Sequence, residues 1–346
     1  MVDALDSKSS DRKIMRVRFS PAARLMKLFF DLLIVFGIVI TALPAVILLY
    51  EARRENTWEA RHKKASLTIA IILFIGTLTI IYGSFIEPRF LVVNKQEIDL
   101  PNINKPIKIA FIADLQVGPY RKTAWVEKIV QKIIELKPDI IILGGDHVNN
   151  GGTLDDETQY LAPIKKLTTF ASTFAIHGNH EYGIGDDLAI AFVNKRLPDV
   201  SDDVEKALSN MNIDYLTNEL RLLSINNQKI YLFGGDSAFS QKLNFSELKN
   251  RNPEIPTIAL LHEPTSIYTA TGYNFDLILF GHTHGGQIRL PFFGPIGRAD
   301  SITPAKWYKG WGEYNRTKFF VTSGVGETGV RSRLFNPPEI VLLTIK

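Results

Sequence analysis

The sequence predicts a layered α/β domain carried behind a pair of membrane-crossing helices. Three observations lead there. Two uninterrupted apolar segments of bilayer length lie within the first 86 residues. After them, short apolar runs alternate with helix-length stretches, as in βαβ units. Most of these runs are apolar at successive positions, which suits strands covered on both faces.

Residues 1–27 form a polar, basic tail with seven Lys/Arg against three Asp. Arg16, Arg18, Arg24 and Lys27 abut the first apolar segment, where positive charge suits an anionic inner leaflet. The first span covers residues 28–50, with Asp31 near its start and Pro44 as a kink site. A polar connector occupies residues 51–64, and the second span covers 65–86. A cleaved signal peptide accounts for neither the length of the first segment nor the presence of the second. Two spans place both flanking regions on one side. Tail and connector carry seven and five Lys/Arg, and residues 87–108 add four. The positive-inside rule then favours a cytoplasmic tail and a cytoplasmic domain over residues 87–346.

Residues 87–106 read as a membrane-proximal lead-in. The run 107–114 is a parallel-strand candidate, 123–137 has helical spacing, and 139–146 is the next buried strand. A helix over 155–169 and a strand over 173–181 follow, then a short helix over 201–210. RLLSI and KIYLFGGD predict two neighbouring strands. TIALLHEP, FDLILFGHTH, FFVTSG and EIVLLTI supply the remaining strands. The chain has no cysteine, which excludes disulfides, Cys-ligated zinc, iron–sulfur clusters and thiol nucleophiles. The basic total charge belongs to the tail and connector, so it gives no support to nucleic-acid binding.

In layered α/β folds, functional residues gather beyond the carboxyl ends of strands. Here those ends carry Asp114, Asp146, Asn179, His180, His262, His282 and His284. Carboxylates, an amide and imidazoles suit manganese, iron, zinc or similar ions. His282 and His284 are two apart, so an extended loop points them the same way.

The segments ADLQ, GGDHVN, GNHE, LLHE and GHTH occur in that order. In this the chain resembles the calcineurin-like metallophosphoesterase superfamily, whose pattern is DxH, GDxxD, GNH(D/E), a later His and GHxH. GHTHGGQIRLPFFGP and GVGETGVRSRLFNPPEI extend the likeness to its membrane-associated, lipid-related phosphodiesterase branch. The resemblance implies an α/β (α+β) domain built as a four-layer αββα sandwich. It also implies two divalent metal ions, manganese foremost, with zinc or iron as alternatives. Asp114 and His284 would belong to the first metal; Asn179, His262 and His282 to the second; Asp146 would bridge them. His180 would sit beside phosphate and either protonate the leaving oxygen or donate a hydrogen bond to the transition state. Glu181 would orient its loop or a water.

Two positions depart from the pattern. Gln116 stands where the first motif has a metal-binding His, and Asn149 stands at the second Asp of GDxxD. Gln116 either ligates the first metal, acts through water, or does not bind. Arg333, and less clearly Arg331, carry over as phosphate-binding guanidinium groups. His147 and His177 fit packing roles, and Asp236 a supporting one. Trp307, Tyr308 and Trp311 occupy a Gly-containing loop that either covers the site, meets the membrane, or simply packs.

These readings converge on a membrane-attached, metal-dependent phosphodiesterase or pyrophosphatase. Its partners would be the lipid bilayer and a phospholipid or lipid-linked nucleotide substrate. One similar subclass is the UDP-diacylglucosamine pyrophosphatases. A phosphomonoesterase or cyclic nucleotide phosphodiesterase is an enzymatic alternative. The alternative from another class is a catalytically weak or inactive membrane interaction module that keeps the fold; Gln116 and Asn149 are its support.

Overall fold

The computed structural model describes residues 21–150, 156–185, 197–300 and 302–346. It begins with a helical pair. α1 (Pro21–Glu51) runs through Pro44, and after the one-turn α2 (Trp58–Arg61) the chain returns along α3 (Lys63–Ile81). The segments Leu28–Glu51 and Lys63–Arg89 are long and apolar enough to cross a membrane. Their apolar side chains face outward: Leu32, Phe36, Val39, Leu43, Ile72 and Ile75 are all exposed. A core helix would cover those side chains. Small residues let the pair approach closely. Gly37 lies against Ile80, Gly76 lies against Thr41, and Thr77 Oγ1 donates to Thr41 Oγ1 at 2.8 Å.

The rest is a sandwich of two mixed six-stranded sheets among the described residues. The first contains β1 (Val92–Ile98), β2 (Ile107–Ile112), β3 (Ile140–Leu143), β4 (Ser172–Ala175), β5 (Asp214–Tyr215) and β14 (Glu339–Ile345). Its order is β1-β14-β2-β3-β4-β5. The second contains β6 (Glu219–Ile225), β7 (Gln228–Gly234), β8 (Thr257–Leu260), β9 (Leu277–Phe280), β12 (Gly310–Tyr314) and β13 (Thr317–Val321). Its order is β12-β13-β9-β8-β7-β6. A small hairpin, β10 (Arg289–Leu290) and β11 (Gly294–Pro295), stands apart.

Alternation along the strands divides the core into layers. Ile107, Ile109 and Phe111 of β2 meet Leu232, Leu260 and Leu279 between the sheets. Ala110 and Ile112 face the opposite way, against α4 (Thr123–Leu136), the 3-10 helix Glu157–Thr169 and α5 (Ser201–Ser209). Phe233, Ala259, Ile278 and Phe280 face outward from the second sheet, packing on α6 (Ile267–Ala270), Phe245 and Trp307. Helices outside and sheets inside give the αββα order. Strands apolar at successive positions have both faces covered, as their composition requires.

Three differences from the sequence reading concern strands. The lead-in over 87–106 contains β1, which pairs in parallel with β14 at the sheet edge. Its outward half is polar, so no apolar run marks it. β2 is parallel to β3 but antiparallel to β14. The Gly-containing loop with Trp311 is partly β12, paired antiparallel to β13.

The helical pair is tied to the sandwich at one place. Past Ile81 the helix widens through Tyr82–Ile86. There Gly83 O accepts from Arg333 N at 2.8 Å, and Ser84 Oγ contacts Ser332 Oγ at 2.8 Å. The Glu87 carboxylate accepts the backbone N–H groups of Phe335 and Asn336. Arg331 approaches Asp31 of α1 at 3.7 Å and lies over the rings of Phe85 and Tyr120.

Candidate metal centre

The site is built where β2, β3, β4, β8 and β9 end. Each strand stops two to four residues before a polar side chain of the site, and the backbone turns sharply there. Asp114, Gln116, Asp146, His282 and His284 all have positive φ, between 48° and 69°. Non-glycine residues in this region carry a backbone cost, which a densely bonded loop must offset. Gly178 allows the approach: a Cβ there would lie 2.2 Å from Asp146 Oδ1.

Two groups of donors share one carboxylate. Asp146, His262 and His282 form one; Asp114, Asp146 and His284 form the other, and within each group the donor atoms lie within 4.8 Å of one another. His262 Nε2 and His284 Nε2 are each 3.8 Å from Asp114 Oδ1, and His262 Nε2 is 3.2 Å from Asp146 Oδ2. All five side chains are buried.

Hydrogen bonds outside the groups orient each donor. His262 Nδ1 lies 2.7 Å from Gly144 O, leaving Nε2 for the centre. Asn179 Nδ2 donates to Ile184 O at 2.6 Å, which turns Oδ1 inward, where it is 2.9 Å from His282 Nδ1. Ring nitrogens fixed in this way hold a metal ligand in one tautomer. Glu181 braces the same loops: its carboxylate accepts the N–H groups of Asp146, His147 and Gly178.

The electrostatics match a site built for cations. Burial pushes the Asp114 carboxyl up to about 6, opposed by nearby His262. At Asp146 burial also works against ionisation, but His262 and His180 outweigh it and hold the carboxyl well below its usual range. Burial and the neighbouring Arg333 push His284 well below its ordinary value, so its imidazole is neutral. A neutral imidazole is the form that ligates.

Several buried polar atoms here lack hydrogen-bond partners: Asp114 Oδ2, His262 Nε2 and both ring nitrogens of His284. Each such atom costs ~1–3 kcal/mol if nothing meets it. Together they are oxygen and imidazole donors around a shared carboxylate, which is what a pair of divalent ions requires. The residues fit the metals.

His180 sits at the edge of the centre and is the partly solvent-accessible member of the set. Its N–H donates to Asp146 Oδ1 at 2.9 Å, its Nδ1 lies 2.7 Å from Asn149 O, and its Nε2 is 3.9 Å from Asp146 Oδ2. Gln116 is buried beside the shared carboxylate, but its amide nitrogen donates to Asp146 Oδ2 at 2.9 Å while its oxygen accepts from Asn149 Nδ2 at 3.2 Å. Its carbonyl is therefore turned to Asn149. The two departures from the motif pattern are hydrogen-bonded to each other.

The two arginines expected at the phosphate are both engaged with the protein itself. Arg333 is fully buried, and its guanidinium donates to the carbonyls of Ser323, Gly324, Gly326 and Asn336. It fastens the loop beside Asp114. Arg331 turns to Asp31 and the rings of Phe85 and Tyr120.

Other expected residues sit around the centre. His177 is packed between Tyr182 and Tyr215, with Nδ1 2.9 Å from the Tyr215 hydroxyl. His147 is buried, with Nε2 3.0 Å from Ile176 O. Asp236 Oδ1 accepts from Tyr182 OH at 2.7 Å. Trp307 packs in the outer core, while Tyr308 O accepts from Thr283 Oγ1 at 2.7 Å. Trp311 is part-exposed on β12.

Sequence reasoning missed three supporting residues. Asp300 Oδ2 stands 3.3 Å from His282 Nε2, the ring nitrogen opposite the one facing Asn179. Asn336 Nδ2 donates to His284 O at 2.7 Å. Glu263 accepts from Ser237 and Ala238 and so holds the loop whose Phe239 ring meets His282 edge-on. Asp300 and Asn336 lie at no strand end, and Glu263, though it follows His262 after β8, braces a loop far away in sequence, so no local pattern exposes these roles.

Fold and site together define a metal-dependent hydrolase of phosphoric esters. The chain belongs to the calcineurin-like phosphoesterase family, whose model matches residues 107–286. A metallophosphoesterase of Aquifex aeolicus is 31% identical over 285 residues, covering 79% of this chain and 98% of that protein. The phosphodiesterase YaeI of Escherichia coli is 27% identical, covering 69% of this chain and 82% of its own. The UDP-2,3-diacylglucosamine pyrophosphatase LpxG of Chlamydia muridarum is 24% identical, covering 81% and 96%.

Proposed function

We propose that this chain is a membrane-anchored phosphodiesterase or pyrophosphatase that cleaves a lipid-linked phosphate at the cytoplasmic face. The observation that carries it is the pair of donor groups sharing Asp146, on a domain joined to two helices of bilayer length. The likeness to a phosphodiesterase and to a UDP-2,3-diacylglucosamine pyrophosphatase supports the substrate class. No nucleic acid is expected as substrate, since the domain is close to neutral.

Asp114 and His284 would hold one divalent ion, and Asn179, His262 and His282 the other, with Asp146 between them. Manganese is the first candidate, with zinc and iron behind it. When bound, two such ions supply Lewis-acid stabilisation of the phosphoryl oxygens and a nucleophile at neutral pH. The chain's residues do the rest. Asn149 O fixes the His180 ring, so that Nε2 lies beside the centre and can pass a proton to the leaving oxygen. Asn179 and the imidazoles bring no negative charge, which leaves the site able to attract phosphate.

The test measures metal content and hydrolysis of bis(p-nitrophenyl) phosphate on the same full-length samples. Native protein is expected to turn over with added metal, and Asp146→Asn to lose both binding and turnover. Metal must displace the proton from Asp114, whose carboxyl in the metal-free site lies at about 6. Against burial, Asp146 and Asp114 hold the His262 imidazole well above its ordinary value, so that ring too must give up a proton. Loading should therefore weaken as pH falls through neutrality and further below 6, by about tenfold per pH unit for each proton displaced. Tight metal binding with no turnover on diesters or pyrophosphates would instead favour a non-catalytic membrane module, the reading that Gln116 and Asn149 support.

A further inference from the structure

The loop that follows the metal-binding histidines is apolar where a soluble protein would be polar. Two residues beyond Gly286 the chain enters the β10–β11 hairpin, whose turn is Pro291, Phe292 and Phe293. Phe292 and Phe293 are fully open to their surroundings, and Leu290 and Ile296 are exposed below them. Phe292 even takes a positive φ of 68°, a conformation a bulky side chain adopts at a cost. Paired phenylalanines at a tip with nothing packed on them need an apolar partner.

The hairpin base is fastened to the segment that meets the membrane helices. Arg289 N donates to Leu334 O at 2.9 Å, and Leu334 N donates to Gln287 O at 3.1 Å. One residue earlier, Arg333 N donates to Gly83 O. Gly83 lies about one helical turn before the end of the apolar run at Ile86. On the same loop, Arg331 reaches Asp31 at the start of the first apolar run, and Phe335 is exposed. Loop 330–335 therefore lies level with the ends of both helices. The hairpin tip is within roughly 13 Å of that level, four residues at ~3.3 Å each. On its other side the hairpin touches the metal loop: Arg289 Nη1 donates to Gly285 O at 2.8 Å, beside His284.

From this continuity we propose that the β10–β11 hairpin is a second membrane contact, with Phe292 and Phe293 seated in the phospholipid interface beside the helical pair. The occupant is the bilayer, because the exposed apolar tip stands on a base bonded to the very loop that meets the ends of the two apolar helices. This fixes the metal centre at the headgroup level, so that a phosphate still attached to its lipid can enter. The inference rests on the reading that α1 and α3 span the membrane, and the test separates the two.

The chain has no cysteine, so single labels are unambiguous. Full-length Phe293→Cys, Ile72→Cys and Leu222→Cys are spin-labelled and placed in phosphatidylethanolamine–phosphatidylglycerol vesicles. Collision with oxygen is compared with collision with a water-soluble nickel chelate; retained metal content reports folding. Ile72 marks the helix face, and Leu222 lies on the far edge strand β6. At Phe293 oxygen should dominate, as at Ile72, with the ratio reversed at Leu222. A Phe293 label that behaves like Leu222 while Ile72 remains in lipid overturns the hairpin contact alone. An aqueous Ile72 label overturns the spanning reading. Spin–spin broadening between Phe293 labels at high protein density identifies a second copy of the chain as the occupant, and also overturns the proposal.

Discussion

Gln116 alters what Asp146 experiences. An imidazole at this position offers a metal a strong donor; the amide here gives a hydrogen to the shared carboxylate and takes one from Asn149. The pair acts as a unit, so changing one member disturbs the other. Gln116→His is expected to raise affinity for the first ion, because imidazole competes with water better than an amide oxygen does. Asn149→Asp alone should do little for affinity, since it faces an amide. The double variant should exceed the sum of the singles by ~0.5 kcal/mol or more, the coupling expected of residues in one network. Metal titration of the four proteins measures it. Strict additivity would mean that the two side chains do not communicate. At this scale the sequence was informative where chemistry ends a strand: five apolar runs stop at Asp114, Asp146, Asn179, His262 and His282. It was silent about Asp300, because no strand carries it and only the folded chain brings it to His282.

At the scale of elements, the loop from Ser323 to Asn336 does more than connect β13 to β14. Arg333 sits inside it and satisfies carbonyls that no regular structure would reach. Burial lowers its guanidinium to about 10, still charged at neutral pH. Arg333→Met should therefore cost on the order of 3 kcal/mol of stability, since several buried carbonyls lose their donor. A denaturant titration would show the midpoint falling with the slope unchanged. A variant of native stability with a raised KM for the soluble diester would instead assign Arg333 a substrate-binding role. The motif around Arg333 was legible as a motif, but a sequence does not say whether a guanidinium points to a phosphate or to a carbonyl. β1 was hidden for another reason. It is an edge strand, half exposed, and its partner lies more than two hundred residues away. Edge strands carry polar residues that blunt self-association, and those same residues erase the apolar pattern.

At the scale of the molecule, the helical pair and the sandwich meet through Gly83, Ser84 and Glu87. Both ends of the pair that meet the sandwich lie on one side, which fits the excess of basic residues in the tail and after the second span. Single cysteines at Arg54 and at Leu222 test the direction. In intact cells an impermeant thiol reagent should label Arg54→Cys and leave Leu222→Cys untouched until the membrane is opened. The opposite pattern would place the catalytic domain outside and remove any cytoplasmic substrate.

The order of the first sheet bears on how such a protein is made. Among the described strands β14 is the latest in sequence, and it lies between the two earliest, β1 and β2. In the proposed membrane-anchored form the helices can enter the bilayer while translation continues, but β1 and β2 cannot pair with β14 until residue 345 has left the ribosome. The domain is thus tethered before it can close, and its two earliest strands wait with open edges. Loss of only the final strand would leave β2, which delivers Asp114, without one of its two partners. A nascent chain interrupted before β14 is then an aggregation hazard rather than a slightly shortened enzyme.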